Sequence, residues 1–310
     1  MSVIVVGTVA FDQIATPFGK SDKIVGGAAS YISLAASFLT EMEVNLVSII
    51  GDDFPLSFLE QLKSRGIRQE GLQIIKGEKS FFWSGEYHYD MNSRDTLDTQ
   101  LNVLEDFNPV LPASYQGCEF LMLGNLDPSV QLSVIEQLVE RPKLIILDTM
   151  NFWMDIALDK LKEVISRIDV LTINDEEARQ LTGEYSLVKA AKEILNMGPS
   201  SLVIKKGENG ALLFQGDQMF FAPALPLEDV KDPTGAGDTF AGGFVGYLAK
   251  TGDTSFDNMK RAVIVGSAMA SFTVEEFGTE GLLKLDEAKI DKRLQKFVDL
   301  MDTGMLLSQQ

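Results

Sequence analysis

Six short, mostly apolar runs, at residues 3–6, 44–50, 120–123, 144–147, 170–173 and 202–204, restrict the fold of this chain more than any other feature. Runs this short and this rich in Val, Ile and Leu read as strands buried on both faces. Helix-length segments separate them, and a strand–helix–strand rhythm builds a mainly parallel sheet with helices on both faces, a doubly wound α/β fold. In such sheets ligands bind beyond the carboxyl ends of the strands. That rule lines up Gly7, Asp148, Asn174 and a turn at Gly235 along one edge, although they are far apart in sequence.

The turn at Gly235 belongs to Asp232-Pro-Thr-Gly-Ala-Gly-Asp238, which runs into the apolar stretch Thr239-Phe-Ala-Gly-Gly-Phe244. Small residues at Gly235, Ala236 and Gly237 let the backbone approach a ligand closely. The unpaired N–H groups of a helix's first turn, with the positive end of the dipole behind them, favour a phosphate. Asp238 is set to take a proton from an attacking hydroxyl while neighbouring amides stabilise charge on a transferred group. An ordinary turn followed by a first-turn carboxylate would use the same residue types.

Composition narrows the partners. The chain has 310 residues, 27 basic and 45 acidic, for a formal charge of −18. So acidic a surface argues against nucleic acid, and it requires any polyanion to be held by local devices: helix-terminal amides, Mg²⁺ and a few placed cations. No apolar run is long enough to span a membrane, and the N-terminus lacks a signal-peptide pattern. The single cysteine, Cys118, cannot form an internal disulfide and suits a reducing cytoplasm as a packed residue rather than a nucleophile. There is no P-loop, no full dinucleotide fingerprint and no protein-kinase motif set.

Two segments break the strand–helix rhythm. Residues 11–25 are short and rich in Thr, Pro, Gly and Lys; in residues 80–99, Phe81, Trp83, Tyr87 and Tyr89 alternate with Phe82, Ser84, Glu86 and His88, an aromatic face opposite a largely polar one. Such a face either closes over a site or packs on the main body or a second subunit.

The 232–240 string resembles the C-terminal signature of the ribokinase-like carbohydrate kinases, the PfkB family, Asp-Thr-x-Gly-Ala-Gly-Asp-x-Phe, with Pro233 in place of Thr. Gly7 and Asp12, Gly26-Gly27, Gly51-Asp52-Asp53, Asp148 to Asn151, Asn174-Asp-Glu-Glu177 and Gly207-Glu-Asn-Gly210 follow the family's landmarks in order, so the resemblance covers essentially the whole chain. It implies a main α/β domain of residues 1–10, 26–76 and 103–310, and a small β lid of residues 11–25 and 77–102 that closes on substrate to exclude water. The lid is also the expected face for a homodimer.

The resemblance further implies roles. Asp12 holds sugar hydroxyls, and Gly26 and Gly27 let substrate pack on the backbone. Tyr31 stands where many members carry a sugar-contacting Asn, and either stacks on a ring or fills space. Asn174 and Glu177 organise Mg²⁺ through its waters, although Asn174 also fits an N-cap. Lys205, Gly207 and Gly210 match the nucleotide loop, with Lys205 in place of Thr and the lysines as candidate phosphate neutralisers; the same glycines would suit a plain hairpin. Gly278 falls in the segment lining the adenine pocket, and Asp232 and Thr234 in a monovalent-cation site for K⁺. The expected activity is transfer of the γ-phosphate of ATP to a hydroxyl of a small sugar. A nucleoside kinase of the same fold is the alternative, favoured by Tyr31 and the aromatic lid face; a catalytically idle sugar- or nucleotide-binding protein is the second.

Overall fold

The structure is a computed structural model and describes residues 2–302. Residue 1 and residues 303–310, which the expected main domain includes, lie outside the described residues.

The chain begins with β1 (Ser2–Val6), then β2 (Ala10–Thr16), β3 (Gly19–Lys20) and β4 (Ile24–Gly26). Helix α1 (Ala28–Ser37), β5 (Glu43–Gly51), α2 (Leu56–Ser64) and β6 (Ile67–Ile75) follow, then the hairpin β7 (Phe82–Tyr87) and β8 (Arg94–Gln100). Next come β9 (Phe120–Leu123), α3 (Pro128–Glu136), β10 (Leu144–Asp148), α4 (Asn151–Ile156), α5 (Leu158–Ile165) and β11 (Val170–Asn174). After α6 (Asp175–Thr182), α7 (Leu187–Asn196) and β12 (Ser201–Lys205), a hairpin of β13 (Ala211–Gln215) and β14 (Gln218–Ala222) leads into α8 (Ala236–Thr251). Helices α9 (Phe256–Thr273), α10 (Glu280–Leu283) and α11 (Glu287–Met301) complete the described chain.

Nine strands form one sheet in the order β14-β13-β12-β11-β10-β9-β1-β5-β6. Every neighbouring pair from β12 to β6 is parallel, and only β13 and β14 are antiparallel. All six apolar runs are strands of this sheet. Alternate side chains of β1 feed two cores: Val3 and Val5 pack with α1, α2, α8 and α9, while Ile4 and Val6 pack with α3, α5, α6 and α7. Both faces are dry, which is why these strands carry apolar residues on both sides. Successive connections go from β1 to β5 on one side and later return to β9 on the other, so strand order reverses at β1. The crevice beyond its carboxyl end is where such sheets bind ligands.

A second sheet, β3-β2-β7-β8 with β4 paired to β2, stands apart from the first. It is tied to the main sheet at the end of β5: Asp53 accepts hydrogen bonds from the Ser80 amide (2.8 Å) and hydroxyl (2.6 Å), and Lys23 pairs with Asp53 at 3.3 Å. The expected aromatic face is shorter than the run of aromatics: within β7 the Trp83 ring lies over Gly85 and buried Tyr87 follows in the alternation, but Phe81 precedes the strand and Tyr89 lies beyond it, 82% exposed. Among the described residues no helix is long and apolar enough to cross a membrane.

Candidate active site

The first turn of α8 is organised by Gly235. Its φ of 75° is left-handed, and a Cβ there would overlap the ring of Tyr31, so only glycine fits both the backbone and the space. The Ala236 amide donates to the Pro233 carbonyl at 3.2 Å, closing the turn. Among the described residues the amides of Gly235, Gly237 and Asp238 find no acceptor, leaving donors at the positive end of a 16-residue helix.

Asp238 is half-buried in that turn. Burial, and after it the charge of Asp148, push its carboxyl up to about 7. Asp12, on β2, is almost fully buried beside it. Burial, then Asp232 and Asp238, push Asp12 up to about 7 as well, against one hydrogen bond from the Gly27 amide. Gly26 has no side chain because one would overlap the Asp12 carboxylate. Gly27, at φ 92°, caps α1 where a Cβ would press on the Thr8 carbonyl. Tyr31 enters from α1 beneath the Gly235 turn, 1% exposed, and its hydroxyl has no hydrogen-bond partner. Burial first, then Asp12, Asp232 and Asp238, raise that phenol well above its usual range. Asp12, Gly26, Gly27, Tyr31 and the 235–238 turn therefore share one location.

A second group converges from three adjacent strand ends. Asp148 ends β10, Asn174 ends β11 and Lys205 ends β12, with Asn174 and Lys205 in register. Lys205 Nζ lies 2.6 Å from Asp148 Oδ2, both side chains largely buried, and a Cβ at Gly237 would stand 3.1 Å from that amine. Burial works to discharge Lys205, but Asp148 and Glu177 outweigh it and hold the amine above its ordinary value. Asp148 itself is raised, burial outweighing the lysine. Asn174 and Glu177 form a capping box on α6: the Asn174 side chain accepts from the Glu177 amide at 2.8 Å, and Glu177 accepts from the Asn174 amide at 2.9 Å. Burial raises Glu177 to about 7, opposed mainly by Lys205. Among the described residues no cluster of three or more His, Cys, Asp or Glu side chains could by itself hold a metal ion.

The remaining expected residues divide. Asp232, fully buried, accepts from the Thr234 amide (2.8 Å) and the Gly278 amide (3.2 Å), and burial raises its carboxyl. Gly278 thus stands with Asp232 and against Ile24 of β4, on the Asp12 side of the turn rather than with the 207–210 loop. Gly207 lies in that loop against Asn92, at the tip of the β7–β8 hairpin, whereas Gly210 packs on the Ala222 carbonyl. Cys118 is buried, its thiol pushed up to about 11, which keeps it a packed thiol rather than a nucleophile.

Two residues of the second sheet belong to this site and have no motif to mark them. The Tyr87 hydroxyl is 3.2 Å from Thr234 Oγ1, fastening β7 to the 232–238 segment. Arg94 is opposite Tyr87 on β8, and its charge lowers both Asp238 and Glu177. Its only sequence signal is a lone basic residue among the acidic positions of that hairpin.

The family model described as pfkB family carbohydrate kinase matches residues 2–284. A cytidine kinase from Thermococcus kodakarensis is 32% identical over 254 residues, 80% of this chain and 88% of that one. The solved nucleoside kinase from Methanocaldococcus jannaschii, an archaeal member of the ribokinase family, superposes with a TM-score of 0.76 at 22% identity, covering 96% of this chain and 99% of that one. A ribokinase from Cryptococcus neoformans var. grubii serotype A, solved with ADP, gives 0.75 at 22% identity over 94% and 99%.

Proposed function

The chain belongs to the pfkB family of carbohydrate kinases and is an ATP-dependent kinase of a sugar or nucleoside, and on that footing we propose that its acceptor is a nucleoside, phosphorylated on a hydroxyl that Asp238 deprotonates. The observation that carries the chemistry is the first turn of α8: unpaired amides and the Asp238 carboxylate on one short loop, beside Asp12. The likeness to a cytidine kinase supports the choice of acceptor.

Asp12 holds the acceptor, with Gly27 at the start of α1 beside it; Gly26 leaves room for the Asp12 carboxylate, and Tyr31 fills the space beneath the Gly235 turn. Asp238 takes the hydroxyl proton as the acceptor oxygen bonds to the γ-phosphorus, and the bond from that phosphorus to the oxygen left on ADP breaks. The 235–237 turn holds the migrating group, with the Gly235 and Gly237 amides free to donate. The 207–210 loop faces the nucleotide, Lys205 neutralises phosphate charge, and Gly278 supports the turn through Asp232. When bound with ATP, Mg²⁺ neutralises charge on the phosphates; the oxygen-only donors Asn174 and Glu177 suit an ion that keeps most of its waters. Asp232, buried with no ion-pair partner among the described residues, suits a monovalent cation such as K⁺ held with Thr234.

Residues 11–25 and 77–102 act as the lid of a cytoplasmic enzyme, closing on the domain formed by residues 1–10, 26–76 and 103–310. The Tyr87–Thr234 bond and the Asn92–Gly207 contact support this reading. The same sheet offers a homodimer face, since β8 is exposed along all seven residues.

The test is ATP consumption with Mg²⁺ and K⁺ on cytidine, other nucleosides, pentoses and hexoses, for the wild type and Asp238→Asn. Turnover on a nucleoside that drops ~100-fold to ~10,000-fold in the variant is expected for loss of a general base. Near-normal turnover in Asp238→Asn would refute the base assignment, and preference for a free sugar would refute the acceptor.

A further inference from the structure

Lys205 ends β12, two residues before the 207–210 loop, yet its amine is directed elsewhere. Nζ stands over Gly237, where a Cβ would lie 3.1 Å away, and it is held there by Asp148 at 2.6 Å. The side chain is 16% exposed and that of Asp148 is 5% exposed, so this is a built pair and not a surface ion pair. Lys206 follows in the strand-to-loop bend and makes no ion pair within the described residues. Gly237 is the turn residue whose missing side chain leaves room for the amine, and its own amide has no acceptor. A backbone donor and a lysine cation thus converge on one point above the first turn of α8.

We infer that Lys205 is a catalytic residue whose ammonium contacts the phosphoryl group in transfer, alongside the Gly235 and Gly237 amides, and that Asp148 is a positioning residue that keeps the amine aimed at that point. The inference rests on the kinase reading above and refines it: Lys205 serves the group that leaves ATP rather than the phosphates that remain on ADP. Charge on the transferred group's peripheral oxygens is met by a side-chain cation as well as by amides. No bond to Lys205 forms or breaks; the phosphoryl passes from ADP oxygen to acceptor oxygen, and the proton goes to Asp238.

ADP lacks the transferred group, which separates the two placements of Lys205 without any turnover. Titration calorimetry would compare ADP with a non-hydrolysable ATP analogue on the wild type, Lys205→Gln and Asp148→Asn, with steady-state kinetics in parallel. In Lys205→Gln the analogue should bind ~10-fold or more weakly while ADP is unchanged, and kcat should fall ~100-fold to ~1,000-fold, the usual cost of losing a preorganised donor. Asp148→Asn should lose less in kcat than Lys205→Gln. Lys205→Gln leaves Asp148 buried and unpaired, which risks unfolding. The double variant Lys205→Gln with Asp148→Asn removes both charges, keeps a hydrogen-bonding pair and carries the same comparison. Equal loss of ADP and analogue affinity, or kcat near wild type, would overturn the inference. A wild type that binds the analogue but phosphorylates no acceptor would instead sink the kinase reading.

Discussion

Burial raises Asp238 to about 7, so the base proposed for the reaction would be only partly charged at neutral pH. Its working form is the carboxylate, present above that value; kcat/KM should therefore fall as the pH drops below about 7, the more steeply because Asp12 titrates nearby. A profile flat from about pH 8 to about pH 5 would remove Asp238 from the role. Tyr31 permits a separate test, since its ring and its hydroxyl do different things. Tyr31→Phe removes only an unpartnered buried hydroxyl and should leave stability unchanged or raise it by about 1 kcal/mol in urea melts. Tyr31→Ala opens a cavity under Gly235 and should cost about 3–5 kcal/mol and lower kcat as the turn loses its floor. The carboxylate and the glycine turn were legible because they are contiguous in sequence. The ring of Tyr31 beneath Gly235 was not, because only the packing of α1 against α8 brings the two together.

At the scale of elements, α6 presents the sharpest ambiguity. Asn174 and Glu177 cap one another at the end of β11, a complete structural explanation of two residues also expected at Mg²⁺. Asn174→Ser separates these roles, because serine caps a helix as well as asparagine does but offers no amide oxygen. Stability should change by less than about 0.5 kcal/mol, while the Mg²⁺ concentration needed for half-maximal turnover should rise. An unaltered Mg²⁺ requirement would reduce the pair to a cap. The six apolar runs became strands because a sheet covered on both faces leaves little choice of residue. The aromatic face of β7 was drawn too long for a local reason: the strand covers only residues 82–87, so Phe81 and Tyr89 fall outside its alternation.

For the whole molecule, the 232–238 turn and the second sheet are coupled by the Tyr87–Thr234 bond and by Arg94, which reaches Asp238 and Glu177 electrostatically. Arg94 is exposed, so Arg94→Ala should leave the melting temperature unchanged while, on the proposed function, lowering turnover ~10-fold or more through loss of a cation that acts on Asp238 and Glu177. Unchanged turnover would confine the hairpin to a steric role. The sequence alone determined the parallel sheet, the edge at which the candidate site gathers and the glycine turn that opens α8, because strand burial and helix-start chemistry are local and leave short-range patterns. Only the tertiary structure decided that Lys205 faces Gly237 instead of its own loop, that Tyr31 underlies Gly235 and that Arg94 joins the site. Those relations depend on which strand ends and which hairpin come together across long sequence separations, and no pattern within a single element records them.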